Sequence, residues 1–319
     1  MARWYLTALI MGLLLSVDAD LDEESAAART EARKLLDAGK VYPARAKLKA
    51  AIAAQRERQT KPTQVVADLL MDLSEAYSYL KQEAEAIAAL EEATDLSAML
   101  HGRGDSRYGL AKDKLADAHM RAGEHTKAHA LYEELLDAMR RGLGKSHPGY
   151  QFTLSKAAQA ASAAGKHRKA ADAFGELLES TDASAMETLE AVQNAAGARV
   201  QYSVALAKAG QLEAALEQAS LAERAYAGSA AAGGLEHAAS INGVAGVLER
   251  LGRDGEATAA MRRAYDLVEA LDESEPDKAE RLRQAKSNLQ GLEAHVRRKQ
   301  KKRQKQQGVK HQVPPKNEL

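Results

Sequence analysis

The chain has 319 residues, with 45 basic and 45 acidic side chains, no cysteine and only 4% aromatics. The formal charge of zero hides an asymmetry between a basic C-terminal end and an acidic body, and no aromatic residues interleave with the basic end to stack on nucleic-acid bases. The missing cysteines exclude disulfides, thiol catalysis and a disulfide isomerase.

The first residues read as a secretory signal peptide over 1–19. Arg3 gives the positive start, residues 4–17 are apolar, and Val17-Asp18-Ala19 puts small residues where a signal peptidase inspects the chain, so cleavage is expected after Ala19. Fourteen apolar residues fall short of a bilayer core of about 30 Å.

Six helical hairpins are expected over 20–275. Turn positions fall at Gly39, Lys81, Gly123, Gly165, Gly210 and Gly252, spaced 42, 42, 42, 45 and 42 residues apart. Five residues after each turn stands an alanine: Ala44, Ala86, Ala128, Ala170, Ala215 and Ala257. Seven residues before each stands a small residue: Ala32, Ser74, Ala116, Ala158, Ser203 and Ala245. Two helices joined by a short turn approach closely only where a side chain is tiny, and a glycine ends the first helix in a left-handed conformation without steric cost. A large residue follows nine positions after most turns: Leu48, Leu90, Tyr132, Phe174 and Met261, with Ala219 the exception. Lys81 breaks the glycine rule, so that turn is expected to be strained or to use another geometry. Pro62, Pro148 and Pro276 mark junctions between repeats, and Pro43 the first turn of a helix. The three extra residues of the 45-residue spacing are placed around 180–185, and 228–234 reads as a flexible linker.

Residues 276–298 are expected to form a capping helix over the last repeat's apolar face. Residues 299–319 read as a basic, disordered tail ending in Lys316-Asn317-Glu318-Leu319. Residues 297–319 carry a net charge of +8 and the body, 20–296, a net charge of −8. A solvated extension, or an arm for an acidic partner, anionic lipid or the body itself, fits that asymmetry.

The repeat unit, seen in Leu115-Ala116-Asp117-Ala118-His119-Met120-Arg121-Ala122-Gly123-Glu124-His125-Thr126-Lys127-Ala128, resembles the tetratricopeptide repeat family. The 42-residue period and the linker Leu143-Gly144-Lys145-Ser146-His147-Pro148 resemble the kinesin-light-chain type. The resemblance implies an all-α fold, helix-turn-helix repeats stacked into a right-handed superhelical solenoid, and protein or peptide partners. It also implies that first helices line a concave groove. Carried over by position, the groove residues are Asp72, Glu75, Lys114, Asp117, Lys156, Gln159 and Gln201, with Tyr79 and Arg121 further along. Lys114, Arg121 and Lys156 would then offer donors to a peptide carboxylate or backbone. Arg29 and Arg33 fall at the first two positions of the carboxylate clamp of co-chaperone members, but Asp72 stands where an asparagine is required. The C-terminus resembles an endoplasmic reticulum retrieval signal, with Asn317 where aspartate is usual.

No phosphate loop, nucleophile elbow or zinc set is present, so no catalytic residue, metal site or cofactor is expected. His125 and His129 stand four apart near His119, and all three read as solvated surface histidines. Arg103-Gly104-Asp105 spells an adhesion tripeptide in a linker. With no Asn-x-Ser/Thr acceptor, no N-linked glycan is expected. The reading is a non-enzymatic scaffold or chaperone-associated adaptor of the endoplasmic reticulum lumen, with a retrieval receptor at its C-terminus, no nucleic acid and no stable membrane span. The alternative is a regulatory or targeting subunit of a luminal enzyme complex, docking by its convex face or basic tail. The oligomeric state is left open.

Overall fold

In the computed structural model, residues 23–58, 63–180, 189–229 and 231–310 are described. The leader, most of the 180–185 linker and the C-terminal retrieval sequence lie outside them. The described residues form helices and turns and contain no strand.

The chain divides into two units, 1–165 and 166–319. In the first, α1 (residues 23–37), α2 (Val41–Arg58), α3 (Gln64–Tyr79), α4 (Glu83–His101), α5 (Ser106–Arg121), α6 (His125–Gly142) and α7 (Pro148–Ala163) follow one another. From α2 onward each packs on the next, and α3 also meets α5. The second unit comprises α8 (His167–Ser180), α9 (Leu189–Lys208), α10 (Leu212–Ala227), α11 (Leu235–Arg250), α12 (Asp254–Glu269) and α13 (Lys278–Lys310). Again neighbours pack in sequence, and α9 meets α11.

The repeat pattern explains the packing. All six alanines that follow the turns are fully buried, and the small residue before each turn is buried too. Leu48, Leu90, Tyr132, Phe174, Ala219 and Met261 fill the next layer. These contacts build one core from Ala32 through Ala118 in the first unit and another around Ile241, Ala245, Met261 and Leu292 in the second.

The six turn positions share a left-handed backbone. Gly39, Gly123, Gly165, Gly210 and Gly252 have φ of 71, 77, 76, 87 and 75°, and Lys81 has φ of 60°. Lys81 therefore does not adopt another geometry. The Gln82 amide donates to the Tyr77 carbonyl at 2.9 Å, as the Glu124 amide does to His119. Both are the six-to-one bond that closes a Schellman turn. A lysine there carries strain of about 1–2 kcal/mol that glycine avoids. The linkers between repeats are built as firmly. Asp105 caps α5 through the Arg107 amide, and His147 caps α7 by accepting from the Gly149 amide at 3.0 Å, with Pro148 as the first helical residue.

Three expectations change. Around 228–234 the described residues form successive bonded turns, with Gly228, Ser229, Ala232 and Gly234 each donating to a carbonyl three or four residues earlier. The helix expected over 276–298 starts at Lys278 and continues to Lys310, so residues 299–310 are helical. Lys, Arg and Gln are good helix formers, and nothing breaks the run before Gly308. His119 and His129 are buried and not solvated, because the 3.6-residue period turns both inward. The His119 Nδ1 pairs with Glu124 at 2.7 Å. Hydrogen bonds from Lys127 first, and then His119, hold the Glu124 carboxyl below its ordinary pKa.

Candidate functional site

Five of the nine groove candidates, Glu75, Tyr79, Lys114, Asp117 and Arg121, line one cleft of about 350 Å³ in the first unit, together with Ser74, Ser78, Lys81 and Leu90. The cleft lies between α3 and α5 and opens at the strained turn. Arg121 reaches back one repeat, with Nε 3.2 Å from Glu83 and Nη2 donating to Ser78 Oγ at 2.8 Å. Glu75 is held by Arg33 at 2.6 Å. Lys81 and Lys114 make no ion pair among the described residues, so the cleft has cationic charge to spare. Tyr79 stands 59% exposed at its edge.

Lys156 has a different role from the one expected. Its Nζ lies 2.8 Å from both Asp113 and Asp117, and 5.3 and 5.2 Å from the rings of Tyr132 and Phe152. Those bonds use the ammonium on α7 to tie α5, so it is a strut and not a free donor. Tyr132 donates its hydroxyl to Asp117 from below. Burial, and then the Asp117 carboxylate, push that phenol far above its ordinary pKa.

Beyond the strut lies a second recess of about 690 Å³, lined by the start of α5, the end of α6 and the start of α7. Leu110, Leu143 and Phe152 reach into it while 50, 53 and 65% exposed. Its carboxylates are engaged: Asp105 by Arg107, Asp113 by Lys156, Glu134 by Lys112 and Asp137 by Arg140. Bonds from Arg107 lower the Asp105 pKa to about 2. Arg103 and Arg141, also on the lining, have no ion pair among the described residues. Asp113 lines this recess and Asp117 the first cleft, so the two adjoin across Lys156.

The remaining candidates stand apart. Arg29 binds Asp72 at 2.6 Å and Asp68 at 2.9 Å. Arg29, Arg33, Asp72 and Glu75 are thereby neutralised within the fold, which leaves no clamp for a carboxylate. Gln159 is exposed on α7 and donates to Ser155 Oγ at 3.3 Å. Gln201 is exposed on α9 of the second unit. Asp105, from the adhesion tripeptide, is the helix cap already described. Among the described residues no His/Asp/Glu group is arranged to hold a metal ion, and no helix is long and apolar enough to cross a membrane.

Sequence reasoning missed Lys81 as a lining residue, and the whole apolar recess. Both leave a mark in the repeat register. Lys81 is the single non-glycine turn. Leu110 and Phe152 stand thirteen residues before their turns, where the other repeats carry Ala26, Asp68, Gly197 and Ala239.

Residues 109–183 match the tetratricopeptide repeat family. No curated protein matches the chain. Among solved structures, the chain resembles the Podosopora anserina putative kinesin light chain repeats at 17% identity, with a TM-score of 0.57 over 65% of this chain and 97% of that one. It also resembles a Parabacteroides merdae tetratricopeptide repeat protein at 16% identity, with a TM-score of 0.54 over 85% and 93%. The tetratricopeptide-sensor ATPase PH0952 of Pyrococcus horikoshii is similar at 15% identity, with a TM-score of 0.59 over 82% of this chain and 40% of that one. Such arrays are generally non-enzymatic and suited to protein–protein interaction. Residues 109–183 are thus tetratricopeptide repeats, and the chain shares the fold of the kinesin-light-chain-like repeat structures.

Proposed function

We propose that the protein is a non-enzymatic scaffold that holds a polypeptide on α3, α5 and α7, across the Lys156 strut. The observation that carries this reading is the adjacency of two unlike recesses. One has lysines without an ion pair among the described residues and an exposed tyrosine, the other three exposed apolar side chains. A polypeptide can place a carboxylate or backbone carbonyl on Lys81 and Lys114 and an apolar side chain against Leu110, Leu143 and Phe152. Anchors of this kind dominate protein interfaces.

The reading extends to place. With a leader cleaved after Ala19 and retrieval through residues 316–319, the scaffold would work in the endoplasmic reticulum lumen, as an adaptor for luminal clients or chaperones. Expression in a secretory cell with and without residues 316–319 tests this. A mature chain starting at Asp20 that stays inside, while the truncated one is secreted, is expected; an unprocessed N-terminus contradicts it.

The binding surface is tested by Lys114→Glu with Lys81→Glu, and separately by Leu143→Ser with Phe152→Ser. Each pair should reduce partner recovery from secretory cells at least tenfold and leave the melting temperature within about 3 °C. Unchanged recovery by both pairs would rule out this surface. Lys156 is unsuited to such a test, because its loss unties α5 from α7.

A further inference from the structure

The terminal helix is built with two faces. Ala285 and Leu292 are buried, Leu289 and Val296 pack beside them, Glu293 takes Arg262 at 2.5 Å, and Lys299 takes Asp254 at 2.7 Å. These residues follow the helical period and fix which side meets the body. Around the rest of the circumference stand Arg283, Lys286, Arg297, Arg298, Lys301 and Lys302, all exposed. At 1.5 Å per residue they span about 28 Å. The helix has only two carboxylates, Glu280 and Glu293, and Glu293 is bound by Arg262 and, more loosely at 3.8 Å, by the exposed Arg297. Among the described side chains the last apolar one packed on the body is Val296, yet the helix runs on to Lys310.

We propose that this outer face of α13 is a docking surface for an anionic lipid membrane. The side chains between its charges are Gln284, Ser287, Gln290 and Ala294. None is a large apolar or aromatic anchor. A specific protein interface needs such anchors, and single-stranded nucleic acid needs aromatic platforms. A smeared layer of negative headgroups needs neither. It attracts a face of basic side chains through the field alone. The same lack of apolar residues makes the attachment peripheral, reversible and sensitive to salt.

The test is co-sedimentation of the full chain with vesicles of equal parts phosphatidylserine and phosphatidylcholine, and with vesicles of phosphatidylcholine alone. Binding to the mixed vesicles should be strong and should fall steeply with added salt. Each neutralised charge should weaken it about fivefold, so Arg297→Gln, Arg298→Gln, Lys301→Gln and Lys302→Gln together should cost roughly two to three powers of ten. Lys299 is kept, so the contact with Asp254 persists, and circular dichroism should not change. The charge-preserving pair Arg297→Lys and Arg298→Lys should bind as the native chain does. Equal binding to both vesicles, or no loss in the fourfold variant, would overturn the proposal. So would tighter binding to poly-glutamate or duplex DNA than to the mixed vesicles.

Discussion

The two units use one hairpin and one turn, but they join successive first helices by different means. In the first unit charge does the joining: Arg29 and Arg33 of α1 reach Asp68, Asp72 and Glu75 of α3, Arg121 of α5 reaches Ser78 of α3, and Lys156 of α7 reaches Asp113 and Asp117 of α5. In the second, α9 and α11 border a recess lined by Val200, Ser203, Val204, Ala207 and Lys208 of α9 and Ser240, Asn242, Gly243, Gly246, Val247 and Arg250 of α11, with no ion pair between the two helices among the described residues. The alanine layer fixes the hairpin, and the first-helix face is left free to vary. In the first unit that freedom is spent on a polar, recessed surface.

The largest predicted effect lies in what the units share. Ala116→Leu and Ala245→Leu both overfill a layer with no space, and each should cost about 2–3 kcal/mol in urea unfolding followed by circular dichroism. A much smaller cost for one would mean that the packing layers differ. Next comes what divides the units. Lys156→Ala leaves Asp113 and Asp117 facing each other in a half-buried site and should cost about 1–2 kcal/mol. Added salt should soften that loss. Lys208→Ala, at a lysine of the second unit without an ion pair among the described residues, should stay within about 0.5 kcal/mol.

Smaller effects sharpen the turn comparison. Lys81→Gly should stabilise by about 0.5–1 kcal/mol, since relief of the left-handed strain outweighs glycine's extra unfolded freedom. Gly123→Ala should destabilise by about 1 kcal/mol with no steric clash, because nothing lies within 4 Å of the added carbon. The smallest effect is in alkali. The Tyr132 phenol is raised in the folded state, so its contribution is complete below the unfolded value of about 10 and is lost as pH climbs beyond it. In an absorbance titration of the folded chain, Tyr132→Phe should remove phenol that resists ionisation above that pH.

The hairpins were legible because their causes are local and repeated. A tiny residue at close approach and a left-handed turn are demands that sequence must meet at fixed positions. The cleft was half legible for the same reason: Glu75, Tyr79, Lys114, Asp117 and Arg121 occupy repeated positions on first helices. Lys156 was misread because its partners, Asp113 and Asp117, lie one repeat away. Position along the helix tells where a side chain points and not whether a neighbour has already claimed it. The recess at Leu110, Leu143 and Phe152 was missed because three elements meet there, and none of them is unusual alone. The histidines were misread because polarity was taken for exposure, while the helical period puts His119 and His129 inside.

The most direct measurement is site-specific photocrosslinking in cells. A photoreactive phenylalanine analogue replaces Tyr79 or Phe152, and in separate chains replaces Tyr42, an exposed tyrosine on α2 outside both recesses. The account predicts discrete polypeptide adducts from positions 79 and 152, absent at position 42 and lost when Lys81 and Lys114 are reversed. Adducts of equal yield at all three positions, or at position 42 alone, would contradict it.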